Sequence, residues 1–160
     1  MNAFRKFYTE NKEHLFGYLL RKSGSAHLAA DLVQDAFTRY LSRYRSQELS
    51  VALLFTIARN IYYDHMRRQR QQVELSALPA ELATTDDQER LYIIREECRR
   101  VLAAMQELDE EDRDLLSLVA SSGLAYREIA IIKGCSEASV KVQVHRARQQ
   151  LRKALPEESL

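Results

Sequence analysis

The sequence predicts an all-α protein built as two small helical domains joined by a flexible linker. Three observations predict it. Apolar residues recur with helical spacing on both sides of the chain's middle, and no stretch alternates as a strand would. Four Gly and two Pro in 160 residues leave few places for turns, so long helices are expected. The stretch 73–87, VELSALPAELATTDD, is poorly periodic and holds Pro79 and a TTDD cluster, which makes it the linker. The domains are then 1–72 and 88–155, with 156–160 as a tail.

Each helix has a local reason to start or stop. The first, over 3–22, ends at Ser23-Gly24-Ser25, where Gly24 can take the left-handed conformation that closes a helix. Ser25 caps the second, over 26–43, and the third follows a short polar loop, over 50–71. Beyond the linker come 88–106 and then 110–121, capped by Asp109. A short helix over 126–133 meets Gly134, and Ser136 caps the last, over 136–155.

Composition excludes several functions. With 46% hydrophobic and 29% charged residues, the chain is of ordinary globular make-up. No run is long and apolar enough for a membrane span, and MNAFRKFYTENK lacks a signal-peptide core, so a cytoplasmic protein without membrane insertion is expected. Cys98 and Cys135 are isolated, with no histidine at zinc-ligand spacing, so no metal is expected. His14, His27, His65 and His145 lie on separate helices, and no phosphate loop or nucleophile–base motif occurs. Neither an enzyme, a cofactor nor a small-molecule substrate is expected. The net charge of +1 hides an uneven distribution: 59–70 and 141–153 are basic, and 81–114 between them is mostly acidic. Two basic segments suit two contacts with a polyanion.

In the last helix Val140, Val144, Ala147 and Leu151 form one apolar stripe. The opposite face carries Lys141, Val142, His145 and Arg146. A short helix, a glycine turn and a second helix with a basic outer face form a helix-turn-helix, whose second helix fits the major groove of DNA. Lys141, His145 and Arg146 can donate to base edges or phosphates, and Val142 can meet a thymine methyl.

The N-terminal half carries two further faces. In the second helix Asp31, Gln34, Asp35, Thr38 and Ser42 project opposite an apolar arc, as they would on any solvated amphipathic helix. In the third, Arg59, Asn60, Tyr63, Arg67 and Arg70 share one side with Thr56. Arginines supply phosphate contacts, Asn60 a base-edge donor and acceptor, and Tyr63 a ring on which an unstacked base can rest, so this side suits single-stranded DNA. A helix with one exposed tyrosine and a basic end would look similar. Asp64 reads as an internal pair with Arg68.

These stretches resemble one family. LAYREIAIIKGCSEASVKVQVHRARQQLRKAL is similar to the C-terminal helix-turn-helix of bacterial sigma factors of the extracytoplasmic-function type, whose pattern is close to LSYxEIAxxLGxSxGTVKSRLxRARxxLR. Tyr126, Glu128, Gly134, Lys141, Arg146 and Arg148 match it, whereas Ala138-Ser139 replaces Gly-Thr and Val142-Gln143 replaces Ser-Arg. DLVQDAFTRYL resembles the helix that docks on a coiled coil of the polymerase β′ subunit, and LLFTIARNIYYDHMRRQRQ the helix that engages the −10 element. Phe55 stands near the family's tryptophan, which this chain lacks.

The resemblance implies a sigma-2 helical bundle and a sigma-4 helix-turn-helix acting on core RNA polymerase (β′ and β subunits) and promoter DNA. Asp31, Gln34, Asp35 and Thr38 would meet polymerase. Gln47, Glu48, Arg59, Asn60, Tyr63, Arg67 and Arg70 would meet the melted −10 strand, the first two from a loop that holds a flipped base in the family. Ser139, Lys141, Val142, His145, Arg146 and Arg148 would meet the −35 duplex. An anti-sigma factor is a further implied partner. The helix-turn-helix alone also fits a stand-alone regulator of the LuxR type, and the two N-terminal motifs favour the sigma reading.

Overall fold

The computed structural model describes residues 2–45, 47–76, 96–121 and 123–155, and all regular structure in them is helix. The N-terminal module contributes α1 (Asn2–Ser23), α2 (Ala26–Tyr44) and α3 (Val51–Ser76). The C-terminal module contributes α4 (Glu96–Glu107), α5 (Glu110–Val119), α6 (Tyr126–Lys133) and α7 (Glu137–Ala154).

The boundaries follow the cap chemistry. Gly24 sits at φ 73°, and its N–H donates to the Leu20 carbonyl at 2.8 Å. The Ser25 hydroxyl accepts from the Leu28 N–H, and the Asp109 carboxylate from the Asp112 N–H. Gly134 closes α6 in the left-handed region at φ 71°. At the start of α7 the Ser136 hydroxyl accepts the Ser139 N–H at 3.1 Å. Ser136→Ala is therefore expected to cost about 1 kcal/mol, and Ser136→Gly only a few tenths; thermal unfolding of the two variants side by side checks the order.

The third helix is longer than its sequence suggests, running to Ser76 rather than 71, so residues 73–76 of the expected linker are helical. The rest of the linker, the expected helical residues 88–95 and the tail 156–160 lie outside the described residues.

In the N-terminal module, α2 buries Leu32, Val33, Ala36, Phe37 and Tyr40, as its apolar arc predicts. These meet rings from α1, with Tyr8 at 4.7 Å from Phe37 and Phe7 at 5.4 Å from Tyr40. Phe55 is buried and lies 5.4 Å from the Tyr18 ring, so it serves as core. In the C-terminal module Val140, Val144 and Ala147 are buried with Leu115, Leu116, Ile129 and Ala130. That cluster seats α7 against the two helices before it.

The modules are packed on each other, a contact that the sequence reading did not contain. Helix α1 lies against α4 and α5, and α3 against α6. The buried apolar cluster is continuous across the junction.

Candidate nucleic-acid interface

The junction is built around one carboxylate. Asp114 of α5 is fully buried, and four donors surround it. Its Oδ1 accepts from the Tyr18 hydroxyl at 2.7 Å and from Lys22 Nζ at 2.8 Å. Its Oδ2 accepts from Arg59 Nε at 2.8 Å and from Lys133 Nζ at 2.9 Å. Three of the four donors belong to the N-terminal module, so a C-terminal side chain fills an anion site made by α1 and α3.

The second ring of partners completes the site. Lys22 is fully buried, donates also to the Tyr63 hydroxyl at 2.7 Å, and forms an ion pair with Glu110 Oε1 at 2.8 Å. Lys133 also pairs with Glu111 at 2.9 Å. Three cations thus meet three carboxylates, so each buried charge lies beside an opposite one. Arg21 adds a contact along the same junction, donating from Nη2 to the Ser117 carbonyl and the Ser121 hydroxyl, both at 2.9 Å.

The electrostatics follow from this packing. Burial pushes the Asp114 carboxyl up, but the charges of Lys22, Lys133 and Arg59 outweigh it and hold the group well below the usual carboxylate range. Burial pulls Lys133 down, and Asp114 and Glu111 more than restore it, so its pKa rises. Burial raises the Tyr18 and Tyr63 hydroxyls, with the nearby Asp114 charge adding to it, and pushes Tyr62 up to about 12.

The residues expected to meet DNA and polymerase divide by exposure. Asp31, Gln34, Asp35 and Thr38 are all exposed on α2, with Asp31 3.4 Å from His27. On α7, Lys141, His145, Arg146 and Arg148 are exposed, and Val142 is 57% exposed although apolar. Ser139 is half-buried, and Gln143 Nε2 donates to its hydroxyl at 2.6 Å, leaving the hydroxyl hydrogen free to donate outward. Arg146 sits where that outer face meets a cleft lined by Glu107, Asp109, Glu111 and Asp112.

The side of α3 expected to face the −10 strand is divided. Asn60, Arg67 and Arg70 are exposed, as are Gln47 and Glu48 in the preceding loop. Arg67 donates to Asp64 at 2.8 Å, so Asp64 pairs one turn on at i+3 with Arg67 rather than with Arg68. Arg59 and Tyr63 are part of the Asp114 site, with the Arg59 guanidinium 5.0 Å from the Tyr63 ring.

Sequence reasoning missed Tyr18, Lys22, Glu110, Asp114 and Lys133. A signal for two of them exists. Lys22 continues the buried stripe Leu15, Tyr18, Leu19 at i+3, i+4 and i+7, and Asp114 shares a buried face with Ser117, Leu118 and Ser121 at the same spacings. A charge on a buried helix face asks for a partner, though not which one.

Comparison with known proteins covers both modules. The Sigma-70 region 2 family matches residues 7–72, and Sigma-70 region 4 matches residues 98–151. The chain is 33% identical to the ECF RNA polymerase sigma factor EcfG of Rhodopseudomonas palustris, over 86% of this chain and 76% of that protein. It is 31% identical to the ECF RNA polymerase sigma factor SigM of Bacillus subtilis, over 92% of this chain and 91% of that protein. Among solved structures, the sigma factor RpoE in complex with the anti-sigma factor NepR from Bartonella quintana matches with a TM-score of 0.75. That match has 26% identity over 96% of this chain and 97% of the other. A stand-alone regulator of the LuxR type is not supported, because the region 2 match accounts for the N-terminal module.

Proposed function

This chain belongs to the extracytoplasmic-function RNA polymerase sigma factors, which bind core RNA polymerase and direct promoter-specific initiation, and we propose how its residues divide that work. Asp31, Gln34, Asp35 and Thr38 on α2 dock on the β′ coiled coil, where an acidic strip against basic helices gives steering and register. Arg59, Asn60, Tyr63, Arg67 and Arg70 of α3 take the melted −10 strand, with Gln47 and Glu48 beside a flipped base. Lys141, Val142, His145, Arg146 and Arg148 of α7 read the −35 duplex, with Ser139 donating to a phosphate.

The observation that carries this reading is the pair of outward faces, acidic-polar on α2 and basic on α7, set on modules that match regions 2 and 4 in family order. The factor itself performs no covalent chemistry and needs no cofactor; polymerase makes the RNA. It works in the cytoplasm with polymerase. An anti-sigma factor is a further partner, a reading supported by the likeness to a sigma factor solved with one bound.

Run-off transcription on genomic fragments with core polymerase tests the assignment: transcripts should appear only when this chain is added. A chain that bound duplex DNA tightly alone and never bound core would overturn it. Asp35→Arg is expected to weaken core binding roughly tenfold, since it sets a cation against a basic surface; competition against the unaltered factor for core measures it, with helicity unchanged. Arg146→Ala is expected to cost about 1–3 kcal/mol of −35 affinity if its guanidinium grips a guanine edge. A normal −35 footprint in that variant would remove Arg146 from the reading set.

A further inference from the structure

We propose that Asp114 is an internal stand-in for a backbone phosphate of the −10 strand, so that the closed packing of the two modules masks the −10 surface, and that Lys22 is a further residue of that surface. The proposal rests on the assignment of Arg59 and Tyr63 to the −10 strand made above. The geometry supports it directly. The N-terminal module presents one anion site: the Tyr18 hydroxyl, the Lys22 ammonium and the Arg59 guanidinium all reach Asp114 within 2.8 Å. Hydroxyl, ammonium and guanidinium donors converging on two oxygens serve a phosphate diester as well as a carboxylate.

The surroundings suit a single strand rather than a free ion. Tyr62 and Tyr63 stand edge to face beside the site, with centroids 5.4 Å apart, and Lys22 Nζ is 4.7 Å from the Tyr62 ring centre. Asn60, Arg67 and Arg70 continue from it along α3 into solvent. When α5 withdraws, two cations and aromatic rings become open at the near end of an already exposed basic track. That is the composition of a groove that holds a strand's backbone and rests its bases on rings.

Exclusion is mutual because the donors are shared. Lys22 donates to Tyr63 and Asp114 and pairs with Glu110, all within 2.8 Å, and Arg59 Nε is spent on Asp114. A strand can engage them only by displacing Asp114, so apparent affinity falls by the fraction of molecules that are open. The faces assigned to polymerase and to the −35 duplex are exposed in the closed form. Closure therefore selects against one contact and leaves two available, which favours polymerase binding before strand capture.

The test uses the full chain without polymerase. Asp114→Asn removes the charge but keeps the shape, and Arg21→Ala loosens the junction through Ser117 and Ser121 without touching the anion site. Small-angle scattering reads the separation of the modules, and fluorescence anisotropy reads binding of a short single-stranded thymidine oligonucleotide. Both variants are expected to raise the radius of gyration and to tighten oligonucleotide binding roughly tenfold, with a steeper salt dependence. Adding Lys22→Ala or Arg59→Ala to either variant should remove the gain. The proposal is overturned if both variants stay closed, if they open without tighter binding, or if the gain survives loss of Lys22 and Arg59. Failure of the −10 assignment looks different: a holoenzyme lacking Arg59 and Tyr63 would melt promoters normally, while opening and Lys22-dependent oligonucleotide binding persisted.

Discussion

Asp114→Ala is expected to lower the unfolding free energy by about 3–5 kcal/mol at neutral pH, because it leaves buried cations without their shared anion. Lys22 is fully buried and Lys133 nearly so, at 5% exposure, and Arg59 keeps only 21%. Glu110 and Glu111 remain, but neither can reach all three. The loss is limited by an escape route: the modules can part and hydrate the charges, so the measured cost cannot exceed the cost of undocking them. Asp114→Asn keeps the side-chain volume and one acceptor oxygen but sets its amide N–H group against donors, so it should lose less than alanine only through the retained oxygen and packing. Urea unfolding of the three proteins gives the comparison, and a smaller m-value at the alanine variant would report modules already apart.

The same site sets an acid limit. The Asp114 carboxyl is held below the usual range in the folded chain, so its contribution is fully present above the unfolded value, about 3.9. As pH falls past that value toward the folded pKa, the contribution disappears. The stability gap between wild type and Asp114→Ala should therefore be constant near neutrality and shrink below about pH 4. A gap that widened in acid would contradict the pairing.

Arg59→Ala combined with Tyr63→Ala is expected to leave the holoenzyme able to form a closed complex while impairing melting. Loss of one stacking platform is worth roughly 1–3 kcal/mol, and loss of a phosphate contact adds to it, so open complexes should fall by tenfold or more. The readout is permanganate reactivity of unpaired thymines near −10, with the −35 footprint as the internal control. Normal reactivity would remove both residues from the −10 surface. Because both residues also hold the module junction, free-chain stability of the double variant should be recorded alongside; a defect in melting seen only in holoenzyme isolates the DNA role.

Much of the molecule was legible from local chemistry. Gly24, Ser25, Asp109, Gly134 and Ser136 mark helix ends through hydrogen bonds to residues a few positions away, and all five act as expected. The apolar stripes of α2 and α7 were readable for the same reason: 3.6-residue periodicity puts Leu32, Ala36 and Val140, Val144, Ala147 on one face each. The length of α3 was not, since no cap or breaker interrupts QQVELS before Pro79 and periodicity there is weak. Phe55 illustrates a different difficulty, because its place near the family's tryptophan says nothing of its packing, which the Tyr18 ring 5.4 Å away decides.

The sequence by itself determined the helical class, the helix-turn-helix, the outward placement of Val142 and the kinship with sigma factors. Each of these depends on residues close together in the chain or on motifs in order. Only the tertiary structure decided that Arg59 and Tyr63 share their site with Asp114, some 50 residues further along. Charge pairing across such a span depends on how two finished modules pack, and a side chain carries no mark of its distant partner. The buried Lys22 interrupts an apolar stripe, and the buried Asp114 shares a face with Ser117, Leu118 and Ser121; their meeting, 92 residues apart, is what turns two buried charges into one site.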